Sequence, residues 1–290
     1  MAFADQPLHR QLYARQVLAK GGVVDDERLV DAFAAVPRED FVGPPPWVYS
    51  DFQNYRELAS ADPAVLYQDI LIGLDTGRGV NNGLPSLHAG ALHALKIRPG
   101  ETVAHMGAGT GYYSAILAEL VGRQGRVVAV EYDETLAARA RQNLQSYPNI
   151  DVVHGDASAW PREDADVIYA NFALDHPPPK WIDCLAVSGR LLFPLGVPAV
   201  QGGKATGFTA FAAFLLIDRQ ARGFGARFLQ PVSFIWAEGG TPAPGDRHAR
   251  LTEAFRSRRG YQVRSFRWGK PAQADEWYGE EDWGLRFEEA

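Results

Sequence analysis

Apolar residues in the first part of the chain recur at helical spacing, at Leu12, Val17 and Leu18 and again at Leu29, Val30, Phe33 and Val36. Gly21-Gly22 breaks the run and Pro37 stops it, which predicts helices within residues 8–36. A polar, proline-rich passage follows from Gly43 through Tyr67. It carries Trp47, Tyr49, Phe52 and Tyr55, and because disordered linkers are poor in aromatics it reads as an ordered excursion. From residue 86 the pattern alternates: helix 86–96, strand 102–106, helix 112–121, strand 126–131, helix 134–145, strand 150–154, strand 166–170, helix 178–186, strand 189–194. Such alternation predicts an α/β chain with a mostly parallel sheet and helices on both faces. Two later strands, about 208–217 and 227–235, flank turn-forming residues and predict an antiparallel pair that closes the sheet edge. Beyond Gly239-Gly240-Thr241-Pro242 the pattern predicts a short helix at 248–257, a strand at 261–268 and an end carrying Trp277, Tyr278 and Trp283. No fixed-period repeat is visible, which removes solenoids and propellers.

Composition adds exclusions. The 290 residues are 46% hydrophobic and 22% charged, which rules out intrinsic disorder, collagen and coiled coil. The net charge of −6 hides a layout: residues 247–270 sum to +7, residues 275–290 to −6 and the remainder to −7. In the basic stretch, Leu251, Phe255, Tyr261, Val263, Phe266 and Trp268 interleave with the arginines, as in a folded amphipathic layer. Docking on the chain's own body, or on a second copy as a homodimer, is expected in preference to nucleic acid. One cysteine, Cys184, leaves no intramolecular disulfide framework and no cysteine-rich zinc site. The N-terminus lacks a secretory pattern, and the longest apolar stretch, Phe208 to Ile217, is about half of the ~20 residues of a membrane helix. A cytoplasmic protein without a membrane partner is expected. The histidines other than His105 show no metal-ligand spacing, so no metal is expected, and no Gly-x-Ser-x-Gly elbow marks a hydrolase.

The candidate chemistry begins where the strand Val103 to Met106 runs into Gly107-Ala108-Gly109-Thr110-Gly111 and then a helix. Glycines there permit positive φ and let a ligand approach the backbone. The next strand ends at Glu131, twenty residues past Gly111, where a carboxylate can accept from both hydroxyls of a ribose. After a third strand comes Gly155-Asp156-Ala157, whose carboxylate can accept from an adenine amino group. Three markers at successive strand ends favour a nucleoside ligand over a structural turn.

These residues belong to a wider resemblance. Val36-Pro37-Arg38-Glu39-Asp40-Phe41-Val42, Tyr67-Gln68-Asp69-Ile70-Leu71-Ile72-Gly73, Gly107 to Tyr112, Val130-Glu131, Gly155-Asp156, Asp166-Val167-Ile168, Leu185 to Leu191 and Pro194-Leu195-Gly196 follow one another in order. Over about residues 10–236 the chain resembles the protein-L-isoaspartate O-methyltransferase family. The resemblance implies a Rossmann-like seven-stranded fold of S-adenosylmethionine-dependent methyltransferases, here with a C-terminal extension. It implies S-adenosyl-L-methionine as cofactor and methyl transfer to a carboxylate of a protein, peptide or small molecule. The implied division is an N-terminal helical and loop segment at 1–78, a cofactor-binding catalytic domain at 79–238 and a basic-then-acidic extension at 239–290. The cofactor residues implied are His105, Gly107, Gly109, Gly111, Tyr112, Glu131, Asp156, Ala157 and Asn171.

The chain departs from the family in the loop that reads G-Q-T-I-S-x-P there, whose hydroxyls help hold substrate carboxylate and cofactor. Here it is Gly79-Val80-Asn81-Asn82-Gly83-Leu84-Pro85, followed by Ser86. Gly83 stands where the hydroxyl belongs, Asn81 replaces the threonine, Asn82 an apolar residue, and Ser86 a frequent Tyr or His. Asn81, Asn82, Gly83 and Ser86 are thus the candidate catalytic positions. The asparagines read either as amide donors to an anion or as turn residues. His105 stands where the motif usually has Asp or Glu, and reads either as a packed neutral histidine or as a donor to the methionine carboxylate. Two functions follow: an active carboxyl methyltransferase of altered acceptor choice, and a non-catalytic member that binds cofactor or partner.

Overall fold

The computed structural model describes residues 6–51, 53–202, 204–238 and 246–290. Phe52 and the Gly239-Gly240-Thr241-Pro242 stretch lie outside the described residues. The chain divides into two compact units, Met1–Val103 with Ala108–Gly155, and Ala104–Gly107 with Asp156–Ala290.

The first unit opens with α1 (Gln6–Lys20), α2 (Glu27–Ala35) and α3 (Glu39–Val42). The apolar stripe buries Tyr13, Val17, Leu18, Leu29, Val30 and Phe33. Asp26 starts α2 by accepting from the Leu29 amide at 3.1 Å. The aromatic excursion is a small antiparallel sheet of β1 (Val48–Ser50), β2 (Tyr55–Glu57), β3 (Leu71–Asp75) and β4 (Val80–Asn81), in the order β2-β1-β3-β4. Strands of two to five residues are too short to display an alternating pattern, which is why the sequence predicts an ordered excursion here but not its strands. Trp47, Val42, Leu66 and Ile72 form their common core. α4 (Pro85–Leu95), β5 (Thr102–Met106), α5 (Tyr112–Val121), β6 (Arg126–Glu131), α6 (Glu134–Asn143) and β7 (Ile150–His154) follow, close to the expected bounds. β6 and β7 are parallel with Glu131 level with His154, so the chain leaves both strands at one end. Val127 to Val130 are all buried, as in a strand covered on both faces.

The second unit takes up the end of β5 and continues with β8 (Ala165–Ala170), α7 (Pro179–Asp183), β9 (Leu185–Gln201), β10 (Lys204–Arg219), β11 (Phe224–Pro231), α8 (Arg247–Arg256), β12 (Ser265–Trp268), β13 (Glu276–Gly279) and β14 (Trp283–Arg286). Their order is β13-β14-β12-β11-β10-β9-β8, with β8 and β9 parallel and the rest antiparallel. The expected edge is therefore corrected: β11 pairs with β12, and the tail carries the sheet on through β14 to β13. The expected strand at 261–268 is a 3₁₀ turn at Gly260–Gln262 followed by β12. The basic and acidic parts of the tail pair with each other. Arg267 and Glu276 are both almost fully buried and joined by two bonds, Nε to Oε1 at 2.6 Å and NH2 to Oε2 at 3.1 Å. Trp277 packs against Phe228 and Phe255 at 4.9 and 5.2 Å, and Tyr278 against Trp283 at 5.3 Å, so the tail aromatics are core. Among the described residues no helix is long and apolar enough to cross a membrane.

Candidate cofactor and acceptor sites

In the first unit, Gly109 and Glu131 are brought together. The Gly109 amide donates to Glu131 Oε2 at 2.7 Å and the Asp133 amide donates to Oε1 at 3.0 Å. The Tyr132 backbone amide bonds to the same carboxylate, which with about four acceptor sites keeps capacity for a further donor such as a ribose hydroxyl. Burial holds the Glu131 carboxyl above its ordinary value, while the amides of Asp133 and Gly109 pull the other way. Gly109 has φ +57°, and a Cβ there would meet no atom within 4 Å, so the loop borders open space. Gly111 has φ +98° and opens α5. Tyr112 points into the core instead, 2% exposed, with its hydroxyl 3.3 Å from that of Tyr13 and its ring edge-on to Phe41.

The second unit holds the remaining cofactor candidates. Asn171 Nδ2 lies 2.8 Å from His105 Nε2, and the His105 ring stacks parallel to Tyr169 at 5.6 Å. Burial lowers the His105 pKa to about 3, so the ring is neutral across physiological pH and accepts at Nε2 when its proton sits on Nδ1. Asn171 Oδ1 is buried without a partner among the described residues. An orphaned acceptor of this kind suits an ammonium group, the charge at one end of a methionine moiety. Gly107 has φ +79° and packs its backbone on the Phe172 ring, where a Cβ would come within 2.7 Å. Asp156 is exposed; its Oδ1 accepts from the Ser158 amide at 2.8 Å. The Ala157 carbonyl accepts from Trp181 Nε1 at 2.9 Å. Within the first unit, the Gly109 turn, the open space beside it and the Glu131 carboxylate suit a ribose; within the second, the orphaned Asn171 carbonyl suits the ammonium of a methionine moiety.

The loop 79–86 belongs to the first unit and separates the two asparagines. Asn81 is committed to the turn, its Oδ1 accepting from the Gly83 amide at 2.9 Å and its Nδ2 donating to the Gly79 carbonyl at 3.2 Å. Asn82 is different. Its Oδ1 accepts from the Ile72 amide at 3.1 Å and from Arg38 at 3.3 Å. Both partners are obligatory donors, so the oxygen must face them, and Nδ2 is turned to the other side. There Nδ2 is buried without a partner among the described residues. Gly83 has φ +73° and no room for a side chain, since a Cβ would lie 2.1 Å from His88 Nε2. Ser86 is engaged by Asp69, which accepts from its amide and its hydroxyl, both at 2.8 Å, at the start of α4.

Sequence reasoning passed over the residues that hold this loop. Arg38 is fully buried and donates to the carbonyls of Leu66, Gln68 and Ile70 at 2.6, 2.7 and 2.6 Å. Glu39 accepts from the Tyr67 hydroxyl. The V-P-R-E-x-F-V element thus clamps the segment that carries Asp69 and leads into β3. Its signal was the presence of Arg38, Glu39 and Asp69 inside motifs rather than on the loop.

Most of the chain is similar to known proteins of one family. The family model described as protein-L-isoaspartate(D-aspartate) O-methyltransferase matches residues 11–206. A protein-L-isoaspartate O-methyltransferase of Aeropyrum pernix is 36% identical over 204 residues, covering 68% of this chain and 72% of its own. A relative so named from Anaeromyxobacter is 30% identical over 231 residues, 78% of this chain and 81% of its own. A solved protein-L-isoaspartate O-methyltransferase superposes with TM-score 0.62 at 23% identity, over 89% of this chain and 71% of the other. A Plasmodium falciparum structure described as a beta-aspartate methyltransferase in complex with S-adenosyl-L-homocysteine gives TM-score 0.60 at 17% identity, over 80% and 99%. The expected Rossmann-like methyltransferase fold is borne out by these likenesses. The chain belongs to the protein-L-isoaspartate(D-aspartate) O-methyltransferase family and is an S-adenosylmethionine-dependent methyltransferase.

Proposed function

We propose that this methyltransferase esterifies a carboxylate of a peptide or protein, and that Asn82 supplies the donor that receives that carboxylate. The observation that carries the reading is the Asn82 carboxamide, locked at its oxygen by Ile72 and Arg38 and left with a buried, open Nδ2. When bound, S-adenosylmethionine supplies an electrophilic methyl on a sulfonium, which a carboxylate oxygen takes up as the carbon–sulfur bond breaks and the sulfur becomes neutral. A carboxyl with pKa near 4 is ionised at neutral pH, so no residue of the chain needs to remove a proton. The protein's work is then positioning and exclusion of water around two charges that cancel.

Glu131 and the Gly109 turn serve the ribose in this reading, Asp156 the adenine, Asn171 and His105 the methionine end, with Gly107, Gly111 and Ala157 shaping the backbone around them. Tyr112 contributes by packing. On the acceptor side Asn82 donates, Asn81 and Gly83 form the turn that presents it, and Ser86 fixes the start of α4 through Asp69. With Gly83 where the family has its hydroxyl and the donor carboxamide one position earlier, the acceptor extends beyond L-isoaspartate to other peptide or small-molecule carboxylates. The single buried thiol, Cys184, fits work in the reducing cytoplasm.

Incubation with methyl-labelled S-adenosylmethionine and a panel of isoaspartyl, aspartyl and C-terminal carboxylate peptides tests the reading. Label that is lost as methanol in mild base is expected, as for a methyl ester. Cofactor binding with no acceptor labelled across the panel would support the non-catalytic alternative.

A further inference from the structure

Resting on that reading, a second residue enters the acceptor loop from the helix behind it. The place that a side chain at residue 83 would occupy is filled by His88: the ideal Cβ position lies 2.1 Å from Nε2, 2.8 Å from Cδ2 and 3.2 Å from Cε1. The Nε2 edge of the ring is thus the part nearest the loop. His88 is 1% exposed and sits on the first turn of α4, its amide donating to the Leu84 carbonyl at 3.2 Å. Its ring stacks on Tyr113 with centroids 3.8 Å apart and planes 17° from parallel. The Tyr113 hydroxyl in turn donates to the Gly83 carbonyl at 3.4 Å. One tyrosine therefore fixes both the imidazole and the glycine whose side-chain volume the imidazole takes. The departure at Gly83 and the presence of His88 are two halves of one exchange: with the ring in place, residue 83 has to be glycine.

A leucine would fill the same volume without placing a nitrogen at the loop. We propose that His88 is a positioning residue for the acceptor, that its Nε2 makes the polar contact which residue 83 has no side chain to make, and that it thereby sets which carboxylate the loop receives. A neutral imidazole with its proton on Nε2 donates to a carboxylate oxygen as a hydroxyl does, but from a rigid ring anchored on α4 rather than from the turn itself.

Steady-state kinetics on His88→Leu and His88→Gln, with the best wild-type acceptor from the carboxylate panel, test this. Titration of S-adenosyl-L-homocysteine serves as the folding control. His88→Leu is expected to bind that ligand within twofold of wild type and to lose tenfold or more in kcat/KM for the acceptor, chiefly through KM. His88→Gln is expected to recover part of the loss. An equally active His88→Leu, within twofold, would overturn the inference while leaving the methyltransferase reading intact. A wild type that labels no carboxylate would refute that reading instead. Should His88→Leu not fold, wild type decides. With imidazole-¹⁵N labelling and S-adenosyl-L-homocysteine bound, the His88 ring resonances, assigned by their absence in His88→Gln, are expected to shift on adding an isoaspartyl peptide. No shift at saturating peptide would overturn the inference.

Discussion

Two glycines with left-handed backbones, Gly109 and Gly83, show opposite uses of the same residue. Beside Gly109 a side chain would meet nothing within 4 Å, whereas beside Gly83 it would run into His88 at 2.1 Å. The first glycine borders open space, next to a carboxylate that holds the loop through its backbone amides. The second leaves space for a neighbour of its own chain, His88, and in the reading proposed above the polar work of its loop falls to Asn82 and to that histidine. In that reading the cofactor side keeps the family's glycines and ribose carboxylate and departs from the family at His105, whereas the acceptor side redistributes its polar groups. A loop that has lost its hydroxyl is therefore not a loop without donors.

The largest effect that would break this contrast is expected from Glu131→Ala. It removes the acceptor for the ribose and the anchor of the Gly109 amide. At about 1.5–3 kcal/mol per bond to a charged group, affinity for S-adenosyl-L-homocysteine should fall about a hundredfold or more in a calorimetric titration. A change within threefold would remove Glu131 from the site.

The next effect concerns the strand feeding the glycine loop. His105 has its pKa lowered to about 3 from 6.5 by burial, so the unfolded chain binds the proton more readily than the folded one. The stability contribution is complete above 6.5 and is lost progressively as pH falls from 6.5 toward about 3. Unfolding free energies from urea titrations across that window should decline in wild type with a slope of at most about 1.4 kcal/mol per pH unit from this residue, and less steeply in His105→Phe. Identical slopes would mean that the imidazole carries charge in the folded state.

Asn81→Ala sharpens the acceptor side with the smallest effect. The lost Asx turn should lower stability by about 0.5–1.5 kcal/mol and leave the acceptor KM within about threefold. A large rise in that KM would restore Asn81 as a donor.

The same contrast explains what could be read from the sequence. Helices and strands from residue 86 to Val130 are long enough to show their period, and the glycine turns announce themselves because few other residues take positive φ. Glu131 is legible from its distance to the glycines. The four short strands before α4 were not, because two to five residues carry no period. Nor could Asn81 and Asn82 be told apart, since both suit a turn; they are separated by Ile72 and by Arg38, 44 positions away, which orient one carboxamide and not the other. The tail was readable as charge and aromatic content, but its continuation of the sheet depends on pairing with β11, which local pattern does not encode.

The division of labour between the loops is tested most directly by two-substrate kinetics on Asn82→Asp. This change keeps an oxygen toward the Ile72 amide and Arg38 and replaces only the open Nδ2. The acceptor KM should rise tenfold or more, as expected for a lost bond to a charged group and a new repulsion, while the KM for S-adenosylmethionine stays within twofold. An unchanged acceptor KM, or a rise confined to the cofactor KM, would contradict the assignment of the asparagine loop to the acceptor.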